Sequence, residues 1–203
     1  MKVIPLAAVC LLTGCLARPH LDHQSFIYAP PSTSAERVAP GDRELGIRTL
    51  QVAAPFEGRA FVYRTGESSY DQDPYAGFMV PPAQGLLSPI CAWMREAGPF
   101  HAVEEAGSAV KPDTLVEIHV SQLYGDFRQS EHAMAVLAVR FVFVDAPHGV
   151  PGKVILQRDY ERAIPLPAPT ASALMEGWNQ ALAQIVHSAM VDFAGVDANA
   201  PKQ

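Results

Sequence analysis

The sequence predicts an α+β domain: a mainly antiparallel sheet with two helices packed on one face. Three observations lead there. Runs at 115–123, 134–144 and 153–162 are β-prone, and their side chains alternate with period two. A Pro- and Gly-rich stretch, Asp145 to Gly152, separates the last two runs and reads as a hairpin loop. Two other segments, 85–97 and 171–193, place their apolar residues at helical spacing instead.

The elements follow in order. Residues 15–45 read as a tether with one short strand at Phe26-Ile27-Tyr28, followed by Pro30-Pro31-Ser32-Thr33-Ser34 and a second break at Pro40-Gly41-Asp42. The folded domain is placed at 46–196, with 197–203 as a C-terminal tail. Ile47 to Val52 is a strand with Leu50 and Val52 on one face, and Phe56-Glu57-Gly58 is a turn. In the next strand Phe61 and Tyr63 alternate with Val62 and Arg64. From Tyr63-Arg64 to Phe78 the chain reads as its most aromatic polar loop region. The first helix carries Leu86, Ile90, Trp93 and Met94 on one face and stops at Gly98-Pro99. Phe100 to Val103 reads as a short edge strand.

In the 115–123 strand, Val116, Ile118 and Val120 alternate with Glu117, His119 and Ser121, giving one dry and one wet face. The 134–144 strand is apolar on both faces and belongs at the centre. In the 153–162 strand, Val154, Leu156 and Tyr160 share a face. The last helix has the stripe Trp178, Leu182, Ile185, Ala189 and Phe193, with Thr170 as its N-cap and Gly195 as its stop.

Of the 203 residues, 49% are hydrophobic and 18% charged, which supports a packed core and excludes a disordered chain. The net charge is −6 with no basic cluster, so nucleic acid is excluded as a partner, because phosphate neutralisation needs grouped Lys and Arg. The same balance speaks against electrostatic attraction to anionic lipid.

The N-terminus reads as an address. Lys2 is followed by an uncharged apolar run, Val3 to Leu12, of signal-peptide length and too short to span a bilayer. Leu12-Thr13-Gly14-Cys15 resembles the bacterial lipobox, which implies cleavage before Cys15 and acylation of its thiol. Residues 1–14 are then a signal peptide. Their removal takes away Lys2 alone, leaving 14 Lys and Arg against 21 Asp and Glu, a net charge of −7. A single acyl chain anchors marginally, at about 0.8 kcal/mol per buried methylene, but a lipobox Cys normally carries more than one. Leu16 rather than Asp follows Cys15, which by the same resemblance directs the protein to the periplasmic face of the outer membrane. With Cys10 removed and Cys15 acylated, Cys91 is left as a packed thiol without a partner.

Catalytic and metal-binding patterns do not assemble. There is no GxSxG nucleophile elbow. Gly149-Val150-Pro151-Gly152-Lys153-Val154 lacks both the spacing and the Ser/Thr of a phosphate loop. His20 and His23 sit in the tether and His119 on a strand, whereas zinc needs three or four converging ligands. Glu104 and Glu105 are neighbours on a strand and point to opposite faces. Glu67, Asp71 and Asp73 have no EF-hand spacing and read as a polar loop. The expectation is a protein that is not an enzyme and uses no metal or cofactor.

Val52-Ala53-Ala54-Pro55-Phe56, Arg59 to Arg64, Ser69-Tyr70, Asp73 to Phe78 and Pro81-Pro82 form a pattern with Trp93-Met94 and Gly98 to Val103. Together with Phe26-Ile27-Tyr28 after a lipobox, it resembles the ABC-type transport auxiliary lipoprotein family. One departure is that many members carry a Trp after the second strand, where this chain has Tyr75 and Phe78. The resemblance implies a non-enzymatic lipoprotein that accompanies a mammalian-cell-entry (MCE) type ABC transporter of lipids between membranes. It implies an MCE-domain protein as partner, a homo-oligomeric assembly and a role in membrane integrity. A different function class is a periplasmic lipid-binding carrier or chaperone, which would need an apolar cavity between helix and sheet. Arg64, Tyr70, Tyr75 and Phe78 are the candidate partner or self-association surface, since Tyr and Arg are favoured where interfaces concentrate their energy. The alternative for Tyr75 and Phe78 is packing of the first helix against the sheet.

Overall fold

The computed structural model describes residues 23–29, 38, 41–105 and 111–198. The expected signal peptide, Cys15 and the Pro30 to Ser34 stretch lie outside the described residues. The strands are β1 (Gln24–Phe26), β2 (Glu44–Val52), β3 (Ala60–Arg64), β4 (Tyr70–Phe78), β5 (Ala102–Glu104), β6 (Thr114–Asp126), β7 (Met134–Asp145) and β8 (Val154–Pro165). Helix α1 (Pro82–Ala97) joins β4 to β5, and α2 (Ala171–Ala198) follows β8.

Among the described residues the structure is α+β, with two α-helices and one eight-stranded mixed sheet, which corrects the expectation of a mainly antiparallel one. β3–β4, β6–β7 and β7–β8 are antiparallel, while β1–β4, β2–β5, β2–β6 and β3–β6 are parallel. The reason is physical. Short loops force β6, β7 and β8 into hairpins, but β2 and β3 reach β6 only after the chain has passed through β4, α1 and β5. Long returns of that kind permit parallel pairing. Alternation fixes the face a side chain takes, not the neighbour its strand finds.

β6 is the trunk of the sheet. β7 runs along one of its edges, and β2 and β3 share the other end to end, against residues 114–120 and 125–126. The sheet therefore forks, with β2 leading to β5 and β3 leading to β4 and β1. A 3-10 turn at Ala54–Phe56 bridges the fork, anchored by the Ala53 N–H donating to the Val120 carbonyl at 2.8 Å.

The predicted helix stripes form the core. Trp178, Leu182, Ile185, Ala189 and Phe193 of α2 are all buried, as are Leu86, Ile90 and Met94 of α1, whereas Trp93 is half-buried. Each such large side chain contributes about 1.5–3 kcal/mol when fully withdrawn from water. Thr170 caps α2 through its Oγ1, which accepts the Ala173 N–H at 3.2 Å. The helix continues past Gly195 to Ala198, and an ion pair between Arg43 and Asp197 (2.8 Å) ties that last turn to the start of β2. Cys91 is free and buried, and burial pushes its thiol up to about 11. Val154 does not share a face with Leu156 as predicted. A register shift between Phe143 and Val144 sets it opposite Val144, 47% exposed.

Candidate interaction surface

Midway along β6 the alternation changes phase. A register shift between Val120 and Gln122 moves the buried positions from even to odd numbers. Leu123 is buried, and Gly125 faces Leu174 of α2, so Tyr124 between them turns to the face away from the helix. There its ring stacks on Phe56 at 5.8 Å and meets Tyr70 edge-on at 5.5 Å. Arg64 is the cross-strand partner of Tyr70 in the β3–β4 ladder, and its guanidinium carbon lies 6.0 Å from the centre of the Tyr70 ring. That separation is within cation–π range. Arg64 donates to the carbonyls of Gly66 (3.2 Å) and Glu67 (2.8 Å), which fixes the cation beside the ring. Tyr70 is 45% exposed, while Phe56 and Tyr124 beneath it are buried.

The structure thus brings Arg64 and Tyr70 together and adds two residues that the sequence did not single out. By sequence Phe56 is a turn residue. Tyr124 lies one position past the predicted strand end, and the spacing from Val120 to Leu123 was the available sign of a bulge.

Phe78 does not belong to this surface. It is 5% exposed, stacked with Tyr28 (5.3 Å) and Trp178 (5.5 Å) and edge-on to Phe61 (4.7 Å). The segment read as a loop is strand β4, which pairs Phe78 with Phe26 and directs it under α2. Tyr75, 47% exposed, stands apart on a bulge of that strand. Ala60 pairs with Gly77 and Val62 with Gln72, so four residues, Asp73 to Ala76, oppose Phe61 alone. Asp73 holds the bulge: its Oδ1 accepts the N–H groups of Tyr75 (2.8 Å) and Ala76 (3.0 Å), and its Oδ2 accepts the Tyr63 hydroxyl. Pro74, which has no N–H, fits a position outside the ladder. Burial, reinforced by the bond to Asp73, holds the Tyr63 hydroxyl well above its ordinary range, and its ring stacks on Phe127 at 4.7 Å.

Charged groups border the surface in pairs. Arg128 donates to both oxygens of Asp126 (3.0 and 2.7 Å) and reaches Glu67 at 3.3 Å. Those hydrogen bonds hold the Asp126 carboxyl below its ordinary range. Glu67 and Asp73, which the sequence reads as part of a polar loop, are thus engaged by protein groups. Among the described residues no three His, Cys, Asp or Glu side chains converge as a metal site. Beside the bulge lies a half-open cleft of about 800 Å³, lined by His23, Ser25, Arg59, Gln72, Asp73 and Gly77 among others.

No family model matches the chain, and no curated protein matches it. Solved structures share its fold. A protein from Xanthomonas campestris in the family DUF330 is 17% identical with a TM-score of 0.68, covering 87% of this chain and 100% of that one. An uncharacterised protein is 13% identical with a TM-score of 0.66, covering 84% and 98% respectively. A hypothetical protein from Chlamydia trachomatis is 11% identical with a TM-score of 0.51, covering 78% and 100%. At these identities the likeness is one of fold.

Proposed function

We propose that this chain is a non-enzymatic docking component of an MCE-type ABC transport system for lipids, anchored at the periplasmic face of the outer membrane by acylated Cys15. The observation that carries the docking role is the Arg64–Tyr70 pair. An exposed ring with a cation fixed beside it sits on paired strands and rests on the buried rings of Phe56 and Tyr124. A contact surface held this rigidly loses little entropy on binding. The motif that resembles the auxiliary lipoproteins, 52–103, supplies three of those four residues, and Leu12-Thr13-Gly14-Cys15 supplies the anchor. By the same resemblance the assembly is homo-oligomeric. The carrier alternative needs room for an acyl chain between helix and sheet. At Phe61, Phe78 and Trp178 that layer is filled by rings with centroids 4.7 to 5.5 Å apart, which favours docking.

The test is capture of an MCE-domain protein by the native lipoprotein after crosslinking in cells. Arg64→Ala and Tyr70→Ala should each lower the yield about tenfold, the effect of losing roughly 1.4 kcal/mol at an interface hot spot. Deletion of the protein should sensitise cells to detergent. Undiminished capture by both variants would remove this surface from the reading, and no MCE-domain protein in the crosslinked wild type would remove the partner.

A further inference from the structure

No charged side chain occurs from Pro74 to Met94, a run of 21 residues in a chain that is 18% charged, nor from Gln24 to Ala29. The fold sets these two runs side by side. β1 pairs in parallel with β4, Phe26 opposite Phe78, and the Met79 N–H extends the contact to the Phe26 carbonyl at 2.8 Å. Phe26 and Phe78 turn into the core, so Ile27 and Met79, one residue further on, turn outward together. Ile27 is 63% exposed, Met79 56% and Val80 39%. Val80 adjoins this pair and packs beside Gly85 along with Tyr28. Exposed aliphatic side chains grouped without an intervening charge mark a contact surface.

The chain itself points to what covers them. His23 leads into β1 only eight residues after Cys15, a span of at most about 29 Å when fully extended. An anchor at Cys15 therefore holds the aliphatic edge of Ile27, Met79 and Val80 close to the bilayer, with the polar cleft of Arg59 and Asp73 beside it. We propose that Ile27, Met79 and Val80 form a membrane-contact face that dips into the headgroup–acyl boundary beside the lipid anchor. Apolar insertion needs no anionic lipid, in keeping with a mature net charge of −7. The inference rests on acylation of Cys15 in the reading above and is independent of any transporter partner.

The experiment uses the full acylated protein in vesicles of phosphatidylethanolamine and phosphatidylglycerol, spin-labelled at Ile27→Cys, Met79→Cys or, as a control, Val154→Cys. All three sites are exposed, Cys91 is buried, and acylation blocks Cys15. Labels at 27 and 79 should collide several-fold more often with oxygen than with a water-soluble nickel chelate, and the label at 154 should show the reverse. Labels at 27 and 79 as open to the chelate as the control would overturn the face while an intact acyl mass left the anchor standing. Shielding from both reagents would mean a protein cover and would also overturn it. Absence of acyl mass on Cys15 would remove the premise of both readings.

Discussion

At Gly77 a side chain has nowhere to go. A Cβ there would stand 2.4 Å from the Arg59 carbonyl oxygen and 3.3 Å from the Ala60 Cα. Both are backbone atoms, and the same carbonyl accepts the Phe78 N–H at 2.6 Å. Gly77→Ala must therefore push β3 and β4 apart just past the end of the Asp73 to Ala76 bulge, at a cost of about 1–3 kcal/mol. Gly58 lies on the chain just before β3 with nothing within 4 Å of its Cβ position and no positive φ, so Gly58→Ala should change stability by less than about 1 kcal/mol. Denaturant midpoints at constant slope compare the two. Equal midpoints would mean that β3 and β4 yield to the added methyl without cost. The residue scale is also where the candidate surface was half legible. Arg64 and Tyr70 stood out by chemistry, since Arg and aromatic residues concentrate at interfaces. Phe78 stood out for the same reason and is a core residue, because its burial depends on a strand that its neighbours conceal.

That concealment is an element-scale matter. β4 contains Asp71, Asp73, Pro74 and Gly77, all depleted in strands, and reads as a loop. It forms a strand because β3 pairs with its first part, β1 pairs with its last, and the bulge between absorbs Pro74. β6 up to Val120, β7 and α2 were legible because their apolar residues keep one period through each of these stretches. The end-to-end sharing of β6 by β2 and β3 was not legible, since no local pattern encodes which edge a distant strand will take. Trp178 is where these elements meet. Its indole N–H is shared between the carbonyls of Tyr124 on β6 (3.4 Å) and Val136 on β7 (3.2 Å), which are ladder partners, and its ring lies 4.9 Å from that of Phe61 on β3. Trp178→Phe keeps an aromatic ring but removes the donor, and should cost about 1–3 kcal/mol. Trp178→Ala should cost about 3–5 kcal/mol, because it also leaves a cavity under α2. If thermal or denaturant unfolding ranks the two variants equally, the hydrogen bond and not the packing is the joint that matters.

For the whole molecule, the weak side is alkaline. Three tyrosines tie separate parts of the fold together. Tyr28 carries the end of β1 into the core, its hydroxyl buried without a hydrogen-bond partner among the described residues. Tyr63 donates to Asp73 in the β4 bulge, and Tyr160 joins β8 to α2 by donating to Asp192 at 2.8 Å, where Arg158 also binds (2.7 Å). Burial raises all three hydroxyls above the ordinary value of 10.0, and the Cys91 thiol rises from 9.0 to about 11 by the same cause. The sign follows from proton counts. Between the ordinary value and the raised one, the folded chain keeps protons that the unfolded chain has lost, so stability falls as pH rises. The contribution is complete below about 9 and declines through 11 and beyond. The melting temperature should therefore hold steady on approaching pH 9 and then drop, with tyrosinate absorbance from these buried rings and reaction of Cys91 with thiol reagents both emerging as the chain unfolds. If Cys91 reacted, or all the tyrosines ionised, while the near-ultraviolet signature of packed rings persisted, the groups would be reachable in the native fold. The joints between β1, the bulge and α2 would then open separately rather than as one cooperative unit.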